Sequence, residues 1–143
     1  MSNAERLIEA LAQAFPQDDV EMGAELIDAM IAALEPITAP DFVTVMAGPD
    51  DSFSATWEGA DGMRDAWADW LDSFGRVRFE IQTIEQVGDN VITVGRQVGT
   101  TRQGGVEIEQ TSAAVWKFRE DRIVRVEFHL DREKAEESAR EAG

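Results

Sequence analysis

Apolar and polar positions alternate with two different periods, and the change of period divides the chain. In the first half apolar residues recur at helical spacing. Leu7, Ile8, Leu11 and Phe15 form one stripe, which Pro16 stops. Met22, Leu26, Ile27, Met30, Ile31 and Leu34 form a second, with Asp18 or Asp19 placed to cap it, before Pro36 and Pro40 break the pattern. Helices are predicted over about 3–35, then short strands near 42–46 and 54–57, the second reached through the turn-rich stretch MAGPDDSF. The third helix, about 60–75, carries Met63, Trp67, Trp70, Leu71 and Phe74 on one face, with Asp61 as its cap and Gly75 as its end.

After Gly75 the period becomes two and stays so for over fifty residues. Strands are predicted near 76–87, 90–101, 105–119 and 122–130, joined by turns at Gly88-Asp89-Asn90, Gly104-Gly105 and Glu120-Asp121. Val106, Ile108, Ala114, Trp116 and Phe118 share one face of the third of these, and Glu107, Glu109, Lys117 and Arg119 share the other. In the last, Val124, Val126, Phe128 and Leu130 oppose Arg125, Glu127 and His129. One sheet face is therefore apolar, and the preceding helices are its nearest cover. Asp131 caps a charged helix near 132–141. No repeat or linker divides residues 1–143, which read as one α+β domain.

Composition narrows the partners. Thirteen Lys and Arg against 29 Asp and Glu give a net charge of −16, which disfavours nucleic acid and anionic membranes. Most of that charge falls on polar helix faces and loops, at Asp18, Asp19, Asp50, Asp51, Glu136, Glu137 and Glu141, where it serves solubility. The acidic start lacks the pattern of a secretory signal, and no apolar run approaches a membrane span. The absence of cysteine removes disulfides and thiolate chemistry and fits a cytoplasmic location. One histidine and no acidic run at ligand spacing give no basis for a metal or other cofactor.

Three segments, WEGADGMRDAWADWLDSF, GDNVITVGRQVGT and EQTSAAVWKFREDRIVRVEFHLD, resemble the SnoaL-like domains of the nuclear transport factor 2-like superfamily. The likeness runs from about Pro40 to the end. It implies a cone-shaped curved antiparallel sheet wrapped over N-terminal helices, with one pocket between them and a homodimer formed through the outer sheet face. It also implies a choice among ketosteroid isomerases, polyketide cyclases, epoxide hydrolases, dehydratases and domains without a reaction. Fold alone does not choose among these. The positions matching the hydrolase triad hold Gly95, Gln97 and Phe128, and those matching the isomerase base hold Val45, Met46 and Ala47 in a chain without tyrosine. The helical start is longer than usual, and either narrows the pocket or covers its mouth.

Alternation places neutral polar groups, Gln97, Gln110 and Ser112, with Thr93 as a weaker candidate, on the apolar side. Such groups orient a ligand carbonyl or hydroxyl but transfer protons poorly. Each reads equally well as a buried polar group paired within the protein. Trp57, Trp67, Trp70, Trp116 and Phe128 are the aromatic wall, and they serve core and pocket alike. Arg64, beside the third helix's stripe, reaches either a ligand's acid group at the mouth or a neighbouring Asp61 or Asp65. His129 falls with Glu127 and Arg125 on the outer side, which favours a structural or interface role. Asp41 and Asp131 flank strand ends as caps.

The expected function is binding of a small apolar molecule with one or two polar groups. The alternatives are a cyclase, isomerase or hydrolase using Arg64, Gln97 or Gln110, and an interaction module whose outer face carries Ile92, Val94, Val98, Val115 and Ile123.

Overall fold

A computed structural model describes residues 1–15, 19–47, 53–72 and 74–141. Pro16, Asp18, Asp50 and Asp51 lie outside them. The elements run α1 (Asn3–Ala14), β1 (Asp19–Glu21), α2 (Ala24–Leu34), a 3-10 turn (Glu35–Ile37), β2 (Thr38–Ala47), β3 (Phe53–Glu58), α3 (Gly59–Leu71), β4 (Phe74–Val87), β5 (Asn90–Thr101), β6 (Glu107–Arg119), β7 (Arg122–His129) and α4 (Arg132–Ala139). The α+β class and the curved sheet beneath N-terminal helices are as expected. The seven strands lie in the order β1-β4-β5-β6-β7-β2-β3, and the sheet stays open.

α1 starts on a capping box: Ser2 Oγ accepts from Glu5 N–H at 3.1 Å, and Ser2 N–H donates to Glu5 Oε1 at 3.3 Å. Its next residue ties the helix to the sheet, because Asn3 Nδ2 donates to the carbonyls of Asp89 (2.8 Å), in the β4–β5 turn, and Glu120 (3.0 Å), in the β6–β7 turn. Leu7, Ala10, Leu11 and Ala14 then face the core at the predicted spacing. Ile8 instead points out, which narrows the stripe.

Several boundaries differ from expectation. Asp19 belongs to β1, which pairs with β4 at the edge of the sheet, and Gly23 rather than an aspartate precedes α2. α3 begins at Gly59 after Glu58, so Asp61 lies inside the first turn and does not cap it. The same helix ends at Leu71, three residues short of Phe74, which starts β4 with Gly75. Asp41 lies within β2, whereas Asp131 does cap α4, accepting from Glu133 N–H at 2.9 Å and Lys134 N–H at 3.4 Å.

The sheet is antiparallel except where β2 runs parallel to β7. That pairing is irregular: Thr38 faces Ile123 and Val43 faces Arg125, so five steps along β2 span two along β7. β2 bows away over Ala39-Pro40-Asp41, and proline suits the bow because it has no N–H to offer a ladder. Val124 is also the extra residue against β6, where Lys117 faces Arg125 and Phe118 faces Ile123. This bulge turns Ile123 from the predicted outer face into the core, where it is 1% exposed.

The outer face is the second correction. α4 lies across β5 and β6, so Ile92, Val94, Ala113 and Val115 are buried against Ala135 and Ala139. Ile92, Val94 and Val115 were expected to pair with another chain. The helix that covers them offers only small apolar contacts in a charged sequence.

Candidate functional site

The concave face is filled. Leu11 of α1 and Phe15 just after it, with Met22 and Met30, press toward Trp67, Phe79, Ile81, Thr93, Ser112, Ala114, Trp116 and Phe128, leaving a void of about 20 Å³. That is room for one water molecule. Among the described residues, the long helical start thus narrows this part of the expected pocket. Trp67 packs edge-on against Phe128 with ring centroids 5.2 Å apart, and Trp116 stands edge-on to the same ring at 6.4 Å. Trp67 Nε1 is buried without a hydrogen-bond partner among the described residues, as is Thr44 Oγ1.

A cavity of about 510 Å³ opens at the other side of Trp116. It exists because β2 bows. Ile31 and Leu34 of α2, Phe42 of β2, Met63 of α3, and Trp116, Ile123 and Val126 of the sheet are its apolar walls. Glu35, Thr38, Ala39, Pro40, Ala60 and Arg122 form the rest of the lining. Thr38 Oγ1 donates to the Leu34 carbonyl at 2.7 Å. Glu35 and Arg122 are exposed and, among the described residues, carry the only ionisable side chains of this lining.

Of the residues expected to bind a ligand, Trp116 alone lines this cavity. Trp67, Ser112 and Phe128 surround the small void instead. Gln97 is 4% exposed and sits in register with Gln110 on β6 and Phe79 on β4, away from either lining. Trp57 is half-buried on β3, where Gly62 of α3 rides over it so closely that a Cβ on Gly62 would stand 2.9 Å from the Trp57 Cβ. Trp70 is half-buried against the core. Arg64 is exposed and bridges helices, with Nε 2.6 Å from Asp28 and Nη1 2.8 Å from Asp61. The Asp28 hydrogen bond comes first among the influences that raise the Arg64 pKa. Its engagement with α2 explains why it does not turn to the mouth.

Sequence reading missed Phe42, Met63, Thr38, Glu35 and Arg122 as site residues. Only the paired prolines signalled that the chain near β2 leaves regular pairing.

His129 sits on the outer side as alternation required, but beneath α4. Its Nε2 lies 3.0 Å from Glu127 Oε1, which also accepts from Ser138 Oγ at 2.6 Å. Glu127 Oε2 accepts from Arg125 Nε at 2.6 Å and lies 3.8 Å from Lys117 Nζ. Burial alone would raise the Glu127 pKa; the hydrogen bonds from His129, Ser138 and Arg125, with the Lys117 charge, outweigh it and hold the carboxyl at about 2. This cluster fastens α4 to the sheet.

An open curved sheet over helices, with an apolar cavity at one end, defines a pocketed α+β fold. Residues 5–126 match the SnoaL-like domain family, and the chain belongs to it. Solved structures agree on the fold. An NTF2-like protein from Burkholderia thailandensis superposes with a TM-score of 0.68 at 23% identity, covering 99% of this chain and 98% of its own. A candidate SnoaL-like polyketide cyclase from Jannaschia reaches 0.66 at 14% identity, covering 97% and 94%. TerC, co-crystallised with polyporic acid, reaches 0.63 at 20% identity, covering 95% and 99%. No curated protein matches the chain. Among the described residues no helix is long and apolar enough to cross a membrane.

Proposed function

We propose that this protein binds a small, largely apolar molecule with one or two polar groups, in the cavity between α2, α3, the bow of β2 and the start of β7. The observation that carries this reading is the cavity itself. Its volume of about 510 Å³ falls within the roughly 300–1,000 Å³ usual for small-molecule sites. Its walls are apolar and its polar groups gather at the rim. Such a site takes up an apolar body by hydrophobic burial and orients it through a polar end. TerC, of similar fold, has been co-crystallised with polyporic acid, which fits the same general use of the fold.

The reading places Trp116, Phe42 and Met63 against the ligand body. It withdraws Trp57, Arg64, Trp70, Gln97 and Gln110 from ligand contact and gives Trp67, Ser112 and Phe128 a packing role. Binding is preferred to a cyclase, isomerase or hydrolase reaction because, among the described residues, Glu35 is the only proton acceptor of carboxylate or imidazole type in the lining. A cysteine-free chain of this charge suits the cytoplasm.

The test is native mass spectrometry of freshly purified protein, followed by denaturation and identification of released small molecules. A bound apolar metabolite is expected. Ala60, exposed at the rim, allows the site to be located without disturbing the core. Ala60→Trp should abolish retention while the far-ultraviolet circular dichroism stays unchanged. Retention of the same molecule at full occupancy by that variant would place binding elsewhere.

A further inference from the structure

We propose that the cavity takes a small apolar carboxylic acid and that Arg122 holds its carboxylate, a specificity that rests on the binding role proposed above. The chain has 29 acidic residues against 13 basic ones, so carboxylates are plentiful partners for its cations. Arg64, Arg76, Arg96, Arg125 and Arg132 each pair with a carboxylate. Among the described residues the side chains of Arg122 and of Arg119 opposite it have no ion pair or hydrogen bond, and of these two only Arg122 contributes to the cavity lining.

Its position is fixed by the strand. Arg122 opens β7 opposite Arg119, and the next residue, Ile123, is buried in the cavity wall. Arg122 is exposed and contributes to the cavity lining, so its N–H donors are available to a group at the entrance. The other polar groups there do not compete as donors. The Thr38 hydroxyl already donates to the Leu34 carbonyl, and Glu35 is an acceptor. A planar fork of N–H donors beside an apolar cavity matches a carboxylate on an apolar body.

The net charge of −16 opposes an anion at long range, but screening confines that effect to about 8–10 Å at ordinary ionic strength. Within the lining the opposing charge is Glu35. Neutralising it should tighten anion binding, and neutralising Arg122 should weaken it. A neutral ligand should register neither change.

The experiment is calorimetric titration of the full chain with naphthoate and with naphthylmethanol, which share an apolar body and differ in charge. Wild-type protein is expected to bind both. Arg122→Gln should weaken naphthoate about three- to tenfold and leave naphthylmethanol unchanged; Glu35→Gln should strengthen naphthoate alone, by about two- to threefold. Both sites are exposed, so the variants should fold, and circular dichroism checks this. Equal naphthoate affinity in wild type and Arg122→Gln would overturn the carboxylate assignment while leaving the cavity as a binding site. Failure of the wild type to bind either compound would overturn both proposals together.

Discussion

Trp116 Nε1 donates a 3.0 Å hydrogen bond to Thr93 Oγ1 across β5 and β6, and this bond fixes the ring that separates the filled concave face from the open cavity. Both residues are buried, at 3% and 6% exposure. Thr93→Val keeps the shape but leaves a buried indole N–H without its acceptor, at a cost of about 1–3 kcal/mol. Thr93→Ser keeps the acceptor and loses one methyl group, about 1 kcal/mol. Urea unfolding should rank wild type, Ser and Val in that order. Ligand affinity should fall with Val because the ring loses its fixed orientation.

Trp67 is the converse case. Its ring packs on Phe128, yet its N–H finds no partner among the described residues. Trp67→Phe loses buried area and also removes an unpaired buried donor, and the two effects are of similar size. The net change should be under about 1 kcal/mol, against about 3–5 kcal/mol for Trp67→Ala, which leaves a cavity. A loss well above about 1 kcal/mol for the Phe variant would mean that a water in the adjacent void completes the Trp67 hydrogen bond.

These two tryptophans show how far the sequence could be read. Alternation put Trp116, Phe128 and Ser112 on the concave side, because period two is a local property of each strand. Whether that side is empty depends on Leu11, Phe15, Met22 and Met30, which arrive from elements far away in the chain. No local pattern encodes their combined volume. The parallel pairing of β2 with β7 joins segments far apart in the sequence, and its register shift lies beside the cavity. Pro40 marks an interruption there without saying that a pocket follows. Likewise, Ala135 and Ala139, one helical turn apart, are a weak apolar signal, so the cover over Ile92 and Val115 could not be anticipated.

Gly95 shows a constraint of another kind. It lies opposite the irregularity between Ile81 and Thr83 of β4, where a Cβ would collide with the Glu80 carbonyl oxygen and approach the Phe79 ring at 3.2 Å. The obstacle is backbone, which cannot rotate aside. Gly95→Ala should therefore cost about 2–4 kcal/mol by forcing β4 and β5 apart. Chemical denaturation measures this directly. A neutral outcome would mean that the β4 irregularity relaxes to accommodate a side chain.

Glu127 sets the acid response. Its folded pKa of about 2 lies below the ordinary 4.5, so the unfolded chain takes up this proton first as the pH falls. The stabilisation is present in full above about pH 4.5 and is lost progressively as the pH falls toward 2. The size of the effect is on the order of 3 kcal/mol. Glu127→Gln should remove this part of the pH dependence while lowering stability at neutral pH, because Lys117, Arg125 and His129 lose their shared anion. Unfolding midpoints at a series of pH values from about 7 to about 2, for wild type and variant, separate the two effects. The curves should converge toward low pH, since a protonated Glu127 and the glutamine side chain of the variant are both neutral. Because the same carboxylate accepts from Ser138 of α4, the protection of α4 amides against hydrogen exchange, relative to the intrinsic rate at each pH, should fall within the same acid window in the wild type. Parallel curves across the whole range would mean that the cluster contributes its packing but not its charge.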